Sequence, residues 1–361
     1  MAYTEIVTSG NTAQVSNEQW SDTCHREYLG QTMMKLLIGT GENAVLRAKE
    51  DLKKKSGDAI TETYASEQVG GTVRGNATGE GNEGSMSFYS QRFVIDNIRT
   101  IHKMNDVPMT EKRVAFSVKE EMKNALTNKH AITFDDDIIA MLCDSGAGRV
   151  RGRYLYGAAD SNWDATHATA LANIDNTNDK LTTGMLNAAK IKAVMKGTGV
   201  SQRIMPTKIK NGMNYETWFM FLGQTYAIRD LVNDDAVFRN NQLLLPPGTN
   251  ANSLYFTGSY FKGSWNGILL YENERLPLVS STIVTTHNLL LGAKAGVVAW
   301  GQRTKFTDDT TKDLGHDYVA ELHEIRNSLV TGSSNNLKSV YNDGTNSHDY
   351  GLVNVFSAAV A

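Results

Sequence analysis

The sequence predicts an α+β protein in which a long glycine-rich hairpin and a long helix accompany an ordinary mixed core. Three observations carry this expectation. Residues 70–84 hold glycines at 70, 71, 75, 79, 81 and 84, with Val73 as the only large apolar residue, between two strand-like runs. Helical spacing follows over 110–143, with Val114, Val118, Met122, Ala125 and Leu126 on one face and Lys119, Glu120 and Lys123 on another. The chain finishes on 352–361, an apolar strand without a charged side chain. Its 361 residues are 40% hydrophobic and 21% charged, with a formal net charge of -3. That balance fits a folded chain with a sizeable core and excludes a global basic field for nucleic acid.

The first fifty residues are mostly polar up to Trp20, with one amphipathic piece at 27–38, and read either as disordered or as an arm that packs on something else. No basic or apolar leader opens the chain, and the initiating Met1 argues against removal of a long propeptide. Lys53-Lys54-Lys55-Ser56-Gly57-Asp58 is a charged turn before a strand at 59–64. The second hairpin strand, 85–96, places Met86 and Phe88 in one parity and Phe93 and Ile95 in the other, so a bulge is expected between the pairs. A two-stranded ribbon is marginal alone, so this one is expected to lie on a neighbour.

Thr110 is the expected N-cap of the long helix, with Glu111 in its first turn. Unbroken from 110 to 143 it would span about 50 Å, the dimension of a structural spine. Asp135-Asp136-Asp137 reads as favourable charge at a helix N-terminus, and Cys143 as core. A strand at 146–157 would set Arg149, Arg151 and Arg153 on one face. Residues 160–179 look like loop, 185–196 like a helix stopped by Gly197, and 204–300 like a second α+β region. That region has strands at 217–222 and 268–271, a helix at 227–238, a Pro246-Pro247-Gly248 loop and the run Leu289-Leu290-Leu291-Gly292.

The chemical motifs fail one by one. Gly79, Gly81 and Gly84 match G-x-G-x-x-G, but a strand rather than a helix follows, and Glu80 and Glu83 would repel a phosphate. His323-Glu324 opens like a zinc-protease helix, but Asn327 stands where the second histidine belongs. Two cysteines, Cys24 and Cys143, make neither a disulfide framework nor a zinc site and suit a reducing compartment. No apolar stretch reaches the ~18 residues of a membrane span. Two basic clusters could meet a polyanion: Arg149, Arg151 and Arg153, and Lys190, Lys192, Lys196, Arg203, Lys208 and Lys210. No cofactor and no catalytic or metal site is expected.

The order of these features resembles the HK97-like major capsid proteins of tailed phages, and within them the phage N-four-type major capsid family. The matching blocks run in order from about residue 40. They are Gly41-Glu42-Asn43-Ala44, Lys55-Ser56-Gly57-Asp58-Ala59-Ile60, Gly79-Glu80-Gly81-Asn82-Glu83 and Val94-Ile95-Asp96-Asn97-Ile98-Arg99. Then come Tyr226-Ala227-Ile228-Arg229-Asp230-Leu231, Trp265-Asn266-Gly267-Ile268, Leu291-Gly292-Ala293-Lys294-Ala295, Val298-Ala299-Trp300-Gly301 and Asp349-Tyr350-Gly351-Leu352-Val353. Residues 158–180 and 330–347 match nothing in the family's pattern.

The resemblance implies an HK97-like fold with residues 1–50 as N-terminal arm and 51–100 as extended hairpin loop. Residues 101–205 and 305–361 would form the peripheral domain around a spine helix at about 110–143, and 206–304 the axial domain. It implies a major capsid protein that self-assembles into hexamers and pentamers of an icosahedral head around double-stranded DNA. Assembly would take place in the host cytoplasm, with decoration or portal proteins as further partners and no membrane. The hairpin tip (Gly70, Gly75, Gly79, Glu80, Gly81, Asn82 and Glu83) would contact neighbouring subunits. Arg149, Arg151, Arg153, Lys190, Lys192 and Lys196 would form an inward basic patch touching packaged DNA non-specifically. The lysine, asparagine and glutamate needed for covalent crosslinking find no match. Two other readings remain open: a tail or decoration component, against which the long helix counts, and an enzyme built on His316, Asp317 and His323.

Overall fold

The computed structural model describes residues 33–50, 57–65, 68, 70–114, 117–143, 150–195, 202–211, 214–244, 260–280, 282–327, 340–342 and 347–359. The expected arm over 1–32, the Lys53-Lys54-Lys55 turn, Cys24, Arg149, Lys196 and the Pro246-Pro247-Gly248 loop lie outside them. The described chain is a mixed α+β structure built on two large sheets.

The larger sheet has eight strands, and its central runs are covered on both faces. The parallel pair Asn214–Gly223 and Ile268–Glu272 lies beside Val284–Leu291, which pairs antiparallel with Leu352–Ala358. Met220, Leu222, Leu269, Tyr271, Leu289 and Leu291 point into one core cluster; Phe219, Phe221, Ile268, Leu270 and Leu290 point into another. Successive side chains alternate faces, so burial on both sides demands near-continuous apolar runs. Helices Thr183–Val194 and Thr225–Asp234 supply residues to one of these cores, and the C-terminal half of helix Val118–Leu142 to the other. The final strand is buried at all seven positions, as its lack of charge requires.

The second sheet has six strands in the order Ile38–Gly39, Leu46–Lys49, Gly296–Asp309, Tyr318–Asn327, Phe88–Met104 and Ala59–Ala65. Helix Val118–Leu142 covers one face of it through Met122 and Leu126, which meet Met104, Tyr318 and Leu322. The boundary expected between residues 304 and 305 falls inside the strand Gly296–Asp309, and Leu352–Ala358 joins the sheet of Asn214–Gly223.

Several local expectations are corrected. The helix expected over 110–143 is two helices, Val107–Arg113 and Val118–Leu142, and it passes His130 without a break. Asp106, not Thr110, caps the first: its carboxylate accepts from the Met109 amide at 3.4 Å. Ser117 caps the second, accepting from the Glu120 amide at 3.4 Å. The 25 residues of the second helix span about 37 Å. Asp135, Asp136 and Asp137 therefore sit late in a helix rather than at its start; Asp136 and Asp137 are held by Arg275 and Arg326. The helix expected at 227–238 is likewise divided, because Asp235 leaves the helical region and accepts from the Val237 and Phe238 amides at 2.9 and 3.1 Å. The loop at 160–179 contains the short helix His167–Ala172.

The hairpin carries no bulge where one was expected. Ala59–Ala65 pairs with Phe88–Val94 in unbroken register. The parity change has another cause: Met86 and Phe88 are exposed and lie on the face opposite the covered Phe93 and Ile95, and further along the long strand, from Ile98, the even residues become the more covered. Its outer half is thus covered on one face and its inner half on the opposite face.

Candidate functional site

The glycine-rich hairpin is the most exposed element among the described residues. Every residue from Gly70 to Phe88 is exposed. The turn is built locally: the Asn82 amide donates to the Gly79 carbonyl at 3.1 Å, and the Asn82 side chain to the Thr78 carbonyl at 3.1 Å. Gly71 has φ of +81°, and a Cβ there would come within 2.9 Å of the Gly84 Cα. Glycine is therefore required at the neck, where two backbones touch. Gly79 has open space around it. Of the predicted tip residues, Gly70, Gly75, Gly79, Glu80, Gly81, Asn82 and Glu83 all lie in this exposed loop.

The two faces of the ribbon differ. Ile60, Glu62, Tyr64 and Phe93 turn inward and are buried. The outer face presents Phe88, 72% exposed, with Val94, and Met86 lies exposed just before the strand.

Of the predicted basic residues, Arg149 and Lys196 lie outside the described residues, and the others differ in setting. Arg151–Arg153 is a 3₁₀ turn, so the alternation expected of a strand is absent, and the strand proper is only Tyr154–Tyr156. Arg153 is fully buried and is not a surface residue. Its guanidinium donates to three backbone carbonyls: Asp349 at 3.3 Å, Lys192 at 2.9 Å and Gln202 at 2.6 Å. Desolvation brings it down to about 10, with the Asp349 charge acting the other way. It stays a cation at neutral pH and ties three segments together. Replacing Arg153 with methionine is expected to leave those carbonyls unpaired and cost about 3 kcal/mol or more. Thermal unfolding measures that loss, while DNA co-sedimentation by folded protein is expected to be unchanged.

Arg151 and Lys192 converge on Asp160, at 2.5 and 3.1 Å. Burial works to raise the Asp160 carboxyl, but its hydrogen bonds to Lys192 and Arg151 outweigh this and hold it below the ordinary carboxylate range. Lys190 donates to the Asn266 carbonyl and, at 3.2 Å, to the Asn266 side chain.

A cleft of about 790 Å³ separates helix Val118–Leu142 from the six-stranded sheet, lined by His130, Phe134, Trp300, Arg303, Thr304 and Glu324 among others. Its floor is a charged network. The buried Glu324 accepts from Arg326 Nε at 2.6 Å and from Thr304 Oγ1 at 3.1 Å, and its Oε1 lies 3.3 Å from His130 Nε2. Arg326 also pairs with Asp137 and lies over the Phe134 ring, 5.2 Å from its centroid. His130 Nδ1 is 3.0 Å from Thr100 Oγ1. Burial works to raise Glu324, yet the His130 hydrogen bond and the Arg326 charge bring it down to about 2. These groups fasten the helix to three strands, and sequence reading identified none of them as a network.

The third set of candidates does not converge. His316 faces Asp106, Asp317 pairs with Lys103, and His323 lies beside Glu321. Asp317 and His323 are six residues apart along an extended chain, about 20 Å. Among the described residues no group of three or more His, Cys, Asp or Glu side chains could hold a metal ion. Among them, too, no helix is long and apolar enough to cross a membrane.

The described chain thus combines two large sheets, a long helix and an exposed ribbon. The sequence profile of the phage capsid protein family matches residues 7–361, and the chain belongs to that family. Solved structures agree in fold. The cyanophage Pam1 capsid asymmetric unit matches with a TM-score of 0.75 and 19% identity over 99% of each chain. The capsid of Ralstonia phage GP4 matches with a TM-score of 0.76 and 19% identity over 100% of this chain and 99% of that one. The acidic stable capsid of Helicobacter pylori bacteriophage KHP30 gives 0.68 and 16% over 99% of both. No curated protein matches. The fold is the HK97-like capsid fold, and the protein is a phage major capsid protein located in the virion shell.

Proposed function

We infer that this chain closes into rings of six and five copies whose hairpins lie across neighbouring subunits, and that these rings tile an icosahedral head around double-stranded DNA. The observation that carries this reading is the two-faced ribbon, buried against its own body on one side and exposing Phe88 and Val94 on the other. Such a surface gains stability only when covered, which couples completion of the fold to assembly. Heterologous contacts close into rings at a fixed rotation, and positive-φ glycines at 70, 71, 75 and 81 let one tip adapt to rings of two sizes.

In this reading residues 1–50 are the arm, 51–100 the extended hairpin, 101–205 with 305–361 the peripheral domain and 206–304 the axial domain. The strand Leu352–Ala358 ties the last two together through the shared sheet. Arg151, Lys190 and Lys192 form the remaining inward basic surface for non-specific contact with the genome, and decoration or portal proteins bind the finished shell. Assembly occurs in the host cytoplasm, and no catalysis by this chain is involved.

Expression of the full chain alone tests this, followed by negative-stain electron microscopy and sedimentation velocity. Rings or closed shells are expected. A chain that stays monomeric alone and also when phage-infected lysate is added would overturn the reading.

A further inference from the structure

We propose that Glu62 is the positioning residue of the hairpin, a buried clasp that closes the six-stranded sheet into a roll and fixes the angle at which the ribbon leaves its subunit. The inference rests on the shell reading above, which gives the ribbon's angle its consequence.

Strand Ala59–Ala65 alternates strictly, with Ile60, Glu62 and Tyr64 inward. A carboxylate only 2% exposed thus occupies a place where the pattern asks for an apolar side chain. It is paired with both Arg47 and Lys49, which share a face of strand Leu46–Lys49. Lys49 Nζ also donates to the Thr61 carbonyl at 3.2 Å.

The contact is unexpected from the strand order. Leu46–Lys49 and Ala59–Ala65 are separated by three intervening strands. In a flat sheet that is four spacings, about 19 Å. Side chains standing perpendicular to such a sheet could not meet. The sheet must curl until its edge returns over Leu46–Lys49. The bend lies in strand Gly296–Asp309, which pairs with Leu46–Lys49 through 296–299 and with Tyr318–Asn327 beyond, with register shifts between Trp300 and Lys305. Bulges bend and twist a strand. At Gly301 a Cβ would lie 3.0 Å from Ile95 of the hairpin strand, so the lack of a side chain permits the close approach.

Glu62 closes this roll together with an aromatic contact, Tyr64 against Tyr350 at 5.1 Å between centroids. Beyond it the chain from Gly70 to Phe88 is exposed throughout. The clasp is therefore the fulcrum of the ribbon. Its cations are 21% and 16% exposed, so both can turn to water if the carboxylate is lost. The body should then keep its fold while the ribbon's angle spreads, and a shell of defined curvature needs one angle.

The test uses the full chain carrying Glu62→Gln or Glu62→Asp. Hydrogen exchange on the soluble subunit reads the clasp, and electron microscopy of assembled particles reads the angle. For Glu62→Gln, amides of Ala59–Ala65 are expected to exchange at least tenfold faster, and particle diameters to broaden into tubes and open sheets. The sedimentation of the free subunit should not move. Glu62→Asp, which keeps the charge, is expected to preserve uniform shells. Exchange within twofold of the parent overturns the clasp; fast exchange with shells of parental diameter overturns the positioning role. If the parent forms no shells under any condition, the shell reading falls and the exchange result still decides the clasp.

Discussion

Arg326→Met is expected to lower the stability of the folded chain by about 3–5 kcal/mol, the usual cost of removing one partner from a buried charge pair. The guanidinium is 1% exposed and lies between Glu324 and Asp137, so its loss leaves a buried carboxylate with too little compensation. At about 2–4 °C per kcal/mol for a large domain, the unfolding midpoint should fall by roughly 6–20 °C. Arg303→Gln is the control. Its pair with Glu50 leaves the arginine side chain 69% exposed, and exposed pairs contribute about 0–1 kcal/mol. Calorimetry that found equal losses for the two variants would contradict the account of the network.

The same network predicts how stability varies with acid. Glu324 is held down to about 2, below its ordinary 4.5. A depressed carboxyl binds its proton more weakly when folded than when unfolded. Its contribution is therefore complete above the unfolded value of 4.5 and is lost as pH falls from there toward 2. The midpoint of the parent should drop through that window, and Glu324→Gln should flatten that part of the decline while starting from a lower value at neutral pH.

What was legible in the sequence follows the range of the interactions. The hairpin could be read because six glycines without apolar partners admit few alternatives to an exposed tip. The runs Leu289-Leu290-Leu291 and 352–358 could be read because burial on both faces removes every charge. The break before Val118 was hidden by Val114, which keeps the helical period. A signal was nevertheless present, since Ser117 and Glu120 stand at capping-box spacing, and Asp106 precedes a proline suited to a first turn. Arg153 was misread because three arginines at alternate positions look like one strand face, and only the fold shows the turn that separates them. The Asp137–Arg326 pair spans 189 residues, and Glu62 meets Arg47 only because the sheet rolls; neither leaves a local pattern.

Phe88→Asp should separate folding from assembly more sharply than any change at the tip. The side chain is 72% exposed in the subunit, and substitutions at such positions usually alter stability by no more than about 0.5 kcal/mol. Strand Phe88–Met104 keeps its register because the pairing of Ala65 with Phe88 is made by the backbone. In the shell, however, this ring would be covered by a neighbour, and a buried aromatic anchor is commonly worth ~2 kcal/mol or more. A loss of that size, about 1.4 kcal/mol per tenfold, raises the concentration needed for assembly by at least ~10-fold. The aspartate adds the cost of burying a charge without a partner. Sedimentation velocity across a concentration series should therefore show a subunit that melts with the parent but stays unassembled where the parent forms particles. Normal particles at the parental threshold would mean that the outer face of the ribbon is not the surface that meets the next copy. Phe88→Leu distinguishes apolar coverage from an aromatic-specific contact: if burial of surface is what matters, most of the assembly should survive it, because leucine keeps an apolar side chain at the same point of the ladder.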